Sequence, residues 1–256
     1  MTTVKIKEFD PDKIEPTSRN YMNPDSTGSK IVVIGKPGTG KTTLLTGLLY
    51  EKKHIFPVAQ IYSGTEDSNS FYSKRFAPLL IYPSYNEENM VRSIKRQKLA
   101  KKHVANPWAV YLLDDVTDDT AKLRTPVFQS IFKNGRHWKC LFILSLQYCM
   151  DIRPVIRTNI DYTFILRESN LRNRKNLWLN YASCVSEFSD FCELMDALTD
   201  DYTALVVNNR IQSNNIEDCI FYYKADIPPK DWKFGCEDYR LFNEQRYNKE
   251  YTDPVI

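Results

Sequence analysis

The feature that most constrains this fold is the stretch KIVVIGKPGTGKTTLL, residues 30–45. A short apolar run enters a loop holding three glycines, and a second apolar run begins directly after Lys41, Thr42 and Thr43. Gly35, Lys36, Pro37, Gly38, Thr39, Gly40, Lys41 and Thr42 match G-x-x-x-x-G-K-[ST] without a gap. Glycines let the backbone curl so that its N–H groups point inward at phosphate oxygens. A helix opening near Gly40 adds its positive end to the same place. Lys41 has the reach for β- and γ-phosphates, Thr42 offers a hydroxyl to Mg²⁺, and Thr43 continues the loop beside it. A glycine turn next to an exposed lysine is the plain alternative. The strand before the loop and the helix after it argue for a nucleoside triphosphate with Mg²⁺. No Asn/Thr-Lys-x-Asp string of the kind that reads guanine occurs, so ATP is the default nucleotide.

The order of patterns along the chain fits such a loop. Runs 30–35, 58–64, 76–84, 108–116, 139–147 and 161–169 read as strands. Residues 41–54, 87–103 and 123–135 read as helices, the last with Gly135 as its stop. A polar helical region covers about 170–199, and 202–209 with 217–226 frame a polar turn as an antiparallel hairpin. The alternation predicts an α/β fold with a mostly parallel central sheet flanked by helices. Residues 1–29 read as an extended N-terminal arm, 30–226 as the folded domain, and 227–256 as a C-terminal tail that docks on its surface.

Composition narrows the class. With 42% hydrophobic and 26% charged residues in 256, the chain can bury a core and is not a disordered one. A net charge of +3 makes no case for nucleic acid from the whole chain, so any basic surface must be local. Six cysteines without a C-x-x-C pair, and only three histidines, argue against structural zinc and for reduced thiols in a cytosolic setting. The charged N-terminus does not read as a signal peptide, and no apolar run is long enough to predict a membrane span.

Three further positions carry chemistry. The strand AVYLLDD ends in Asp114 and Asp115, which point to different sides. Asp114 is placed to hold Mg²⁺, and Asp115 to orient or deprotonate an attacking water. A solvated turn or a helix cap is the bland reading of the same acids. Gln147 ends the next strand, CLFILSLQ, where an amide touches both a γ-phosphate and a water; a plain strand-ending glutamine is the alternative. Arg136, in NGRHW, is placed to reach a neighbouring subunit's nucleotide, with Arg157 and Arg167 as rivals and a surface arginine as the alternative.

GKPGTGKT, VYLLDD, NGRH and ILSLQ, in this order, resemble the genome-packaging ATPases of nucleocytoplasmic large DNA viruses, the poxvirus type, within the FtsK/HerA group of double-stranded DNA motors. The likeness spans roughly residues 30–210, and IRTNIDYTFILRE helps to narrow it. The resemblance implies a P-loop NTPase fold of the RecA/ASCE-like kind and ATP hydrolysis coupled to pumping DNA into a preformed capsid. It implies a homo-oligomeric ring, commonly a hexamer, a capsid-vertex or membrane component as partner, and work in the host cytoplasm or the virion. By position it makes Lys41 and Thr42 the nucleotide and Mg²⁺ contacts, Asp114 the Mg²⁺-site acid, Asp115 the general base, Gln147 the polar sensor and Arg136 the arginine acting in trans. Many relatives have Asp-Glu or Glu where this chain has the shorter Asp115. For double-stranded DNA the sequence offers RSIKRQKLAKKH, residues 92–103, whose Arg92, Lys95, Arg96, Lys98, Lys101 and Lys102 crowd one helix. A solvated charged face is the alternative. A small-molecule or nucleoside kinase, with LRNRKN at 171–176 as its lid, is the competing enzyme class, and a nucleotide-switch assembly subunit is the non-enzymatic one.

Overall fold

A computed structural model describes residues 5–116, 120–213 and 215–251. Among the described residues, nine strands form one sheet: β1 (Lys7–Glu8), β2 (Lys30–Ile34), β3 (Val58–Ser63), β4 (Ile81–Tyr82), β5 (Ala109–Asp114), β6 (Cys140–Leu146), β7 (Tyr162–Ile165), β8 (Ala204–Asn208) and β9 (Ile220–Tyr223). Their order is β1-β9-β8-β7-β2-β6-β5-β3-β4. Among these, β8 alone runs against the rest, pairing antiparallel with both β7 and β9. The mostly parallel sheet and the antiparallel hairpin are thus both present.

Strand β2 explains the architecture. All of Lys30–Ile34 is buried, as a strand covered on both faces must be. Its side chains alternate between two cores: Val32 and Ile34 join one, Ile31 and Val33 the other. The second core takes Leu44, Leu45, Leu48 and Leu49 of helix α1 (Lys41–Lys52). Burying each such leucine contributes about 1.5–3 kcal/mol, which clamps the helix that follows the glycine loop onto the sheet. The first core takes Phe128, Ile131 and Phe132 of a helix on the other face, Pro126–Asn134.

Local chemistry moved several boundaries from their sequence positions. The run 76–84 is a strand only at β4; Pro78 opens a 3-10 turn over Pro78–Leu80, because proline has no N–H to give a ladder. The helix expected over 123–135 starts at Pro126, since the residue before a proline is pushed to extended backbone, and Thr125 sits there at ψ 153 and caps the helix instead. Gly135 does not stop it with a left-handed turn; the chain continues into a 3-10 turn, Gly135–Trp138, and Lys139 takes the left-handed conformation at φ 56. The polar region 170–199 is two helices, Leu171–Tyr181 and Phe188–Leu198.

The described parts of the arm and of the tail are both tied down. In the arm, β1 pairs parallel with β9. Phe9, 1% exposed, meets Tyr162, Phe164, Phe221 and Tyr223 edge-on at 5.3–6.5 Å. Lys52 Nζ donates to the carbonyls of Ile14 and Pro16. In the tail, Trp232 and Phe234 pack on Phe76, and the helix Glu237–Arg246 donates the Tyr239 hydroxyl to the Ala59 carbonyl at 3.1 Å.

Candidate nucleotide-binding site

The carboxyl ends of β2, β3, β5 and β6 meet at one edge of the sheet, and a cavity of about 460 Å³ opens there. The loop between β2 and α1 supplies Lys36, Pro37, Gly38, Gly40, Lys41, Thr42 and Thr43 to its wall. Gly38 and Gly40 have φ of 79° and 93°, a region closed to most side chains, so these two residues give the loop its curl. Gly35 is a matter of space: a Cβ there would lie 2.6 Å from Thr39 Oγ1 and 2.9 Å from Leu166 Cβ. Thr39 in turn donates its hydroxyl to the Lys36 carbonyl. Gly35 and Thr39 therefore shape the loop from behind rather than line the cavity.

Lys41 Nζ donates to the carbonyls of Gly35 at 2.6 Å and Lys36 at 3.2 Å. Burial lowers its pKa, while the Asp115 and Asp114 carboxylates pull the other way and favour the ammonium. Lys36 itself is held outward by Glu168, 2.6 Å away, which follows β7. Burial pushes the Glu168 carboxyl up, but donation from Lys36, the Asn170 amide and Asn173 more than offsets it and leaves the group below the usual carboxylate range.

The expected acids line the same cavity as the loop. Asp114 is 4% exposed and accepts a hydrogen bond from the Tyr72 hydroxyl at 2.7 Å. Burial raises its pKa, and the Tyr72 hydroxyl and the Lys41 ammonium pull the other way without offsetting it. Asp115 sits at φ 54, in the left-handed region that aspartate tolerates better than most residues. That twist turns it away from Asp114, and the Gln147 amide donates to its Oδ1. Asp114, Asp115 and Gln147 thus come together with Lys41 and Thr42. The strand between the loop strand and the acid strand is β6, and its tip carries Gln147. Thr42 and Asp114 present hard oxygens to one space, a donor set suited to Mg²⁺, which takes one or two carboxylates together with phosphate oxygens.

The arginines lie apart from this group. Arg136 is at the opposite edge of the sheet, beside the start of β2; its Nη2 is 3.6 Å from Asp161 Oδ1, and Asp161 Oδ2 accepts from the Lys30 amide. Arg157 donates to the Ile152 carbonyl. Arg167 follows β7 at the cavity edge of the sheet but is paired with Asp196 and Asp200. The run 92–103 is the basic half of the helix Glu87–His103, and all six of its cations are exposed. It borders the Arg136 turn, where Lys101 donates to the His137 carbonyl. The segment 171–176 is no lid: it lies within the helix Leu171–Tyr181, and Arg174 is buried with two nitrogens on Asp196 and Nε on the Glu168 carbonyl.

Five contributors were not visible in the sequence: Thr65 and Asn69 beyond β3, Tyr72, Glu168 and Tyr202. Thr65, Asn69 and Tyr202 line the cavity, and Tyr72 and Glu168 hold residues that do. None carries a motif, and each reaches the site through the fold.

Comparison with known proteins gives a consistent picture. A family model described as Poxvirus A32 protein matches residues 20–227. Protein 075L of Invertebrate iridescent virus 6 is 50% identical over 250 residues, 96% of each chain. Protein 088R of Invertebrate iridescent virus 3 is 46% identical over 242 residues, 93% of each chain. Among solved structures, the genome packaging NTPase B204 from Sulfolobus turreted icosahedral virus 2, in complex with AMPPCP, superposes with a TM-score of 0.57 at 17% identity, covering 80% of this chain and 100% of that one. The pCW3 conjugation coupling protein TcpA, with ATPgS, superposes with a TM-score of 0.55 at 11% identity, covering 85% of this chain and 63% of that one. At these identities the likeness is one of fold.

Proposed function

The chain belongs to the Poxvirus A32 protein family, and on that premise we propose that it is an ATP-hydrolysing motor that moves double-stranded viral DNA into a preformed capsid. One observation carries this reading: Lys41, Thr42, Asp114, Asp115 and Gln147, from three separate strand ends, line one cavity. A phosphate loop alone binds; an acid pair and an amide facing it add the means to aim a water.

Each side chain then has a role. The loop amides and Lys41 hold the β- and γ-phosphates, with Lys41 exchanging its two carbonyl bonds for phosphate oxygens. Thr42 and Asp114 are the residues that would hold Mg²⁺, whose charge offsets that of the phosphates. Gln147 and Asp115, already hydrogen-bonded to each other, aim a water at the γ-phosphorus. As the water oxygen bonds to phosphorus, the bond from phosphorus to the β–γ bridging oxygen breaks, and Asp115 takes the water's proton. ADP and phosphate leave.

Arg136 is out of reach of its own chain's cavity, so any part it plays in catalysis needs a neighbouring copy. A homo-oligomeric ring, a hexamer in our reading, would supply one. Arg136→Ala should lose turnover alone and regain part of it when mixed with Lys41→Ala subunits, and no recovery at any mixing ratio would remove this arginine from the mechanism. The exposed cations at 92–103 are our choice for the DNA backbone, which they would grip without sequence preference. A capsid-vertex or membrane component would be the docking partner, in the host cytoplasm or the virion. No helix among the described residues is long and apolar enough to cross a membrane.

The test is the rate of ATP hydrolysis with and without long duplex DNA, together with mass in solution. The motor reading expects DNA to raise the rate and the active species to be larger than a monomer. A rate indifferent to DNA but raised by a nucleoside would favour a kinase instead.

A further inference from the structure

We propose that Tyr202 is the wall on which the nucleoside base stacks, so that the base is read by its face and not by its edge. This rests on the nucleotide reading above and extends it to the end of the ligand where the motifs are silent.

Sheet order fixes which end that is. Strand β2, which carries the phosphate loop, has β6, β5 and β3 on one side and β7 and β8 on the other. Gln147, Asp114, Asp115 and Thr65 all stand on the first side, so the terminal phosphate must lie toward them. A triphosphate held along the loop then leaves its nucleoside on the second side. Strand β8 runs against its neighbours, so the chain entering it arrives at the cavity edge of the sheet. Tyr202 stands two residues before that strand and lines the cavity.

The ring is presented, not buried. Tyr202 is 63% exposed and belongs to neither core. It lies against the loop at Gly40, where an added Cβ would come within 2.9 Å of its Cδ1. The backbone there is held in an uncommon shape: Asp201 and Tyr202 follow one another at φ 49 and 61, a region that costs non-glycine residues free energy. The turn is pinned on both flanks, by Lys224 donating to the Asp201 carboxylate and by the Thr203 amide on the Asp200 carbonyl. A strained turn that fixes an exposed aromatic ring at a cavity wall is the arrangement expected of a stacking platform. Every base has a π-face, so such a platform grips purines without choosing between them. By stacking alone, ATP and GTP should bind alike.

The experiment uses the full chain with Mg²⁺ and compares two probes: a non-hydrolysable ATP analogue, and inorganic triphosphate, which has no base. Tyr202→Ala should weaken the analogue about tenfold and leave triphosphate binding unchanged, a loss at the modest end of that measured for a base on an aromatic ring. Tyr202→Trp should restore the analogue's affinity and report it by a fluorescence change that triphosphate does not cause. Equal weakening of both probes by Tyr202→Ala would make the residue a support of the loop and overturn the proposal, as would no weakening of either. Lys41→Ala should weaken both probes. Failure of both probes to bind the unsubstituted chain, or indifference of both to Lys41→Ala, would instead sink the phosphate-loop reading itself.

Discussion

Replacing Asp115 with asparagine separates water activation from everything else the cavity does. Asp115 occupies the left-handed region at φ 54. Asparagine is at home there, so the backbone has no reason to move. Asparagine Oδ1 can still accept from Gln147, so that contact survives as well. What is lost is the negative charge and the capacity to take a proton. A positioned general base contributes about 10²–10⁴-fold, which is roughly 2.7–5.4 kcal/mol of barrier at 1.36 kcal/mol per tenfold. Asp115→Asn should therefore cut single-turnover hydrolysis by that factor while stability stays within about 0.5 kcal/mol of the parent. Affinity for a non-hydrolysable ATP analogue should hold or rise, because one carboxylate facing the phosphates is gone. Asp115→Ala is the control: alanine at a left-handed position costs about 1–2 kcal/mol, so it should lose turnover and stability together. Hydrolysis by Asp115→Asn within threefold of the parent would show that another group aims the water. A parallel loss of analogue binding would make Asp115 a binding residue instead.

Other outcomes follow from the same geometry. Tyr72→Phe removes the hydroxyl that Asp114 accepts from and should raise the Mg²⁺ concentration needed for half-maximal turnover about 10–100-fold, with turnover recovered at saturating Mg²⁺. Phe9→Ala should cost about 3–5 kcal/mol in urea unfolding, since four rings close around Phe9; a loss under about 1 kcal/mol would mean the arm is not part of the cooperative unit. Burial depresses Lys52 to about 8 from an ordinary 10.5, so between those values the unfolded chain binds the extra proton and this group's contribution to stability rises with pH. The stability of the parent minus that of Lys52→Met should accordingly climb between pH 8 and 10.5, and a flat difference would contradict the assignment.

What could be read from the chain, and what could not, divides by sequence distance. The phosphate loop was legible because its conformational demands fall on neighbouring residues: glycines at the curl, a lysine and threonines at the helix start. Asp114 and Asp115 were legible as candidates because an apolar strand carries both acids to its end, and both line the cavity of the loop. The run 87–103 is a helix with the bounds its sequence predicts, Glu87–His103, and the structure adds the Asn86 side chain as its cap. The run 76–84 was misread because apolarity records burial, not pairing: Phe76 is buried under Phe234 and Trp232 of the distant tail. Tyr72, Glu168 and Tyr202 reach the site through tertiary packing, and a tyrosine before a strand looks like any other. Arg136, from its place between two motifs, reads as an arginine that reaches a neighbouring copy's nucleotide. The fold puts it at the other edge of the sheet, where only contact between copies can bring it to a nucleotide.

The central claim is that Lys41, Asp114, Asp115 and Gln147 surround one bound triphosphate. The most direct measurement is an experimental structure of the chain with Mg²⁺ and a non-hydrolysable ATP analogue. The account expects Lys41 Nζ to have left the Gly35 carbonyl for the β- and γ-phosphate oxygens, with the γ-phosphate facing Asp115 and Gln147. An analogue bound elsewhere, for instance in the cavity of about 390 Å³ lined by Arg75, Lys233 and Arg240, with Lys41 still on Gly35, would contradict it.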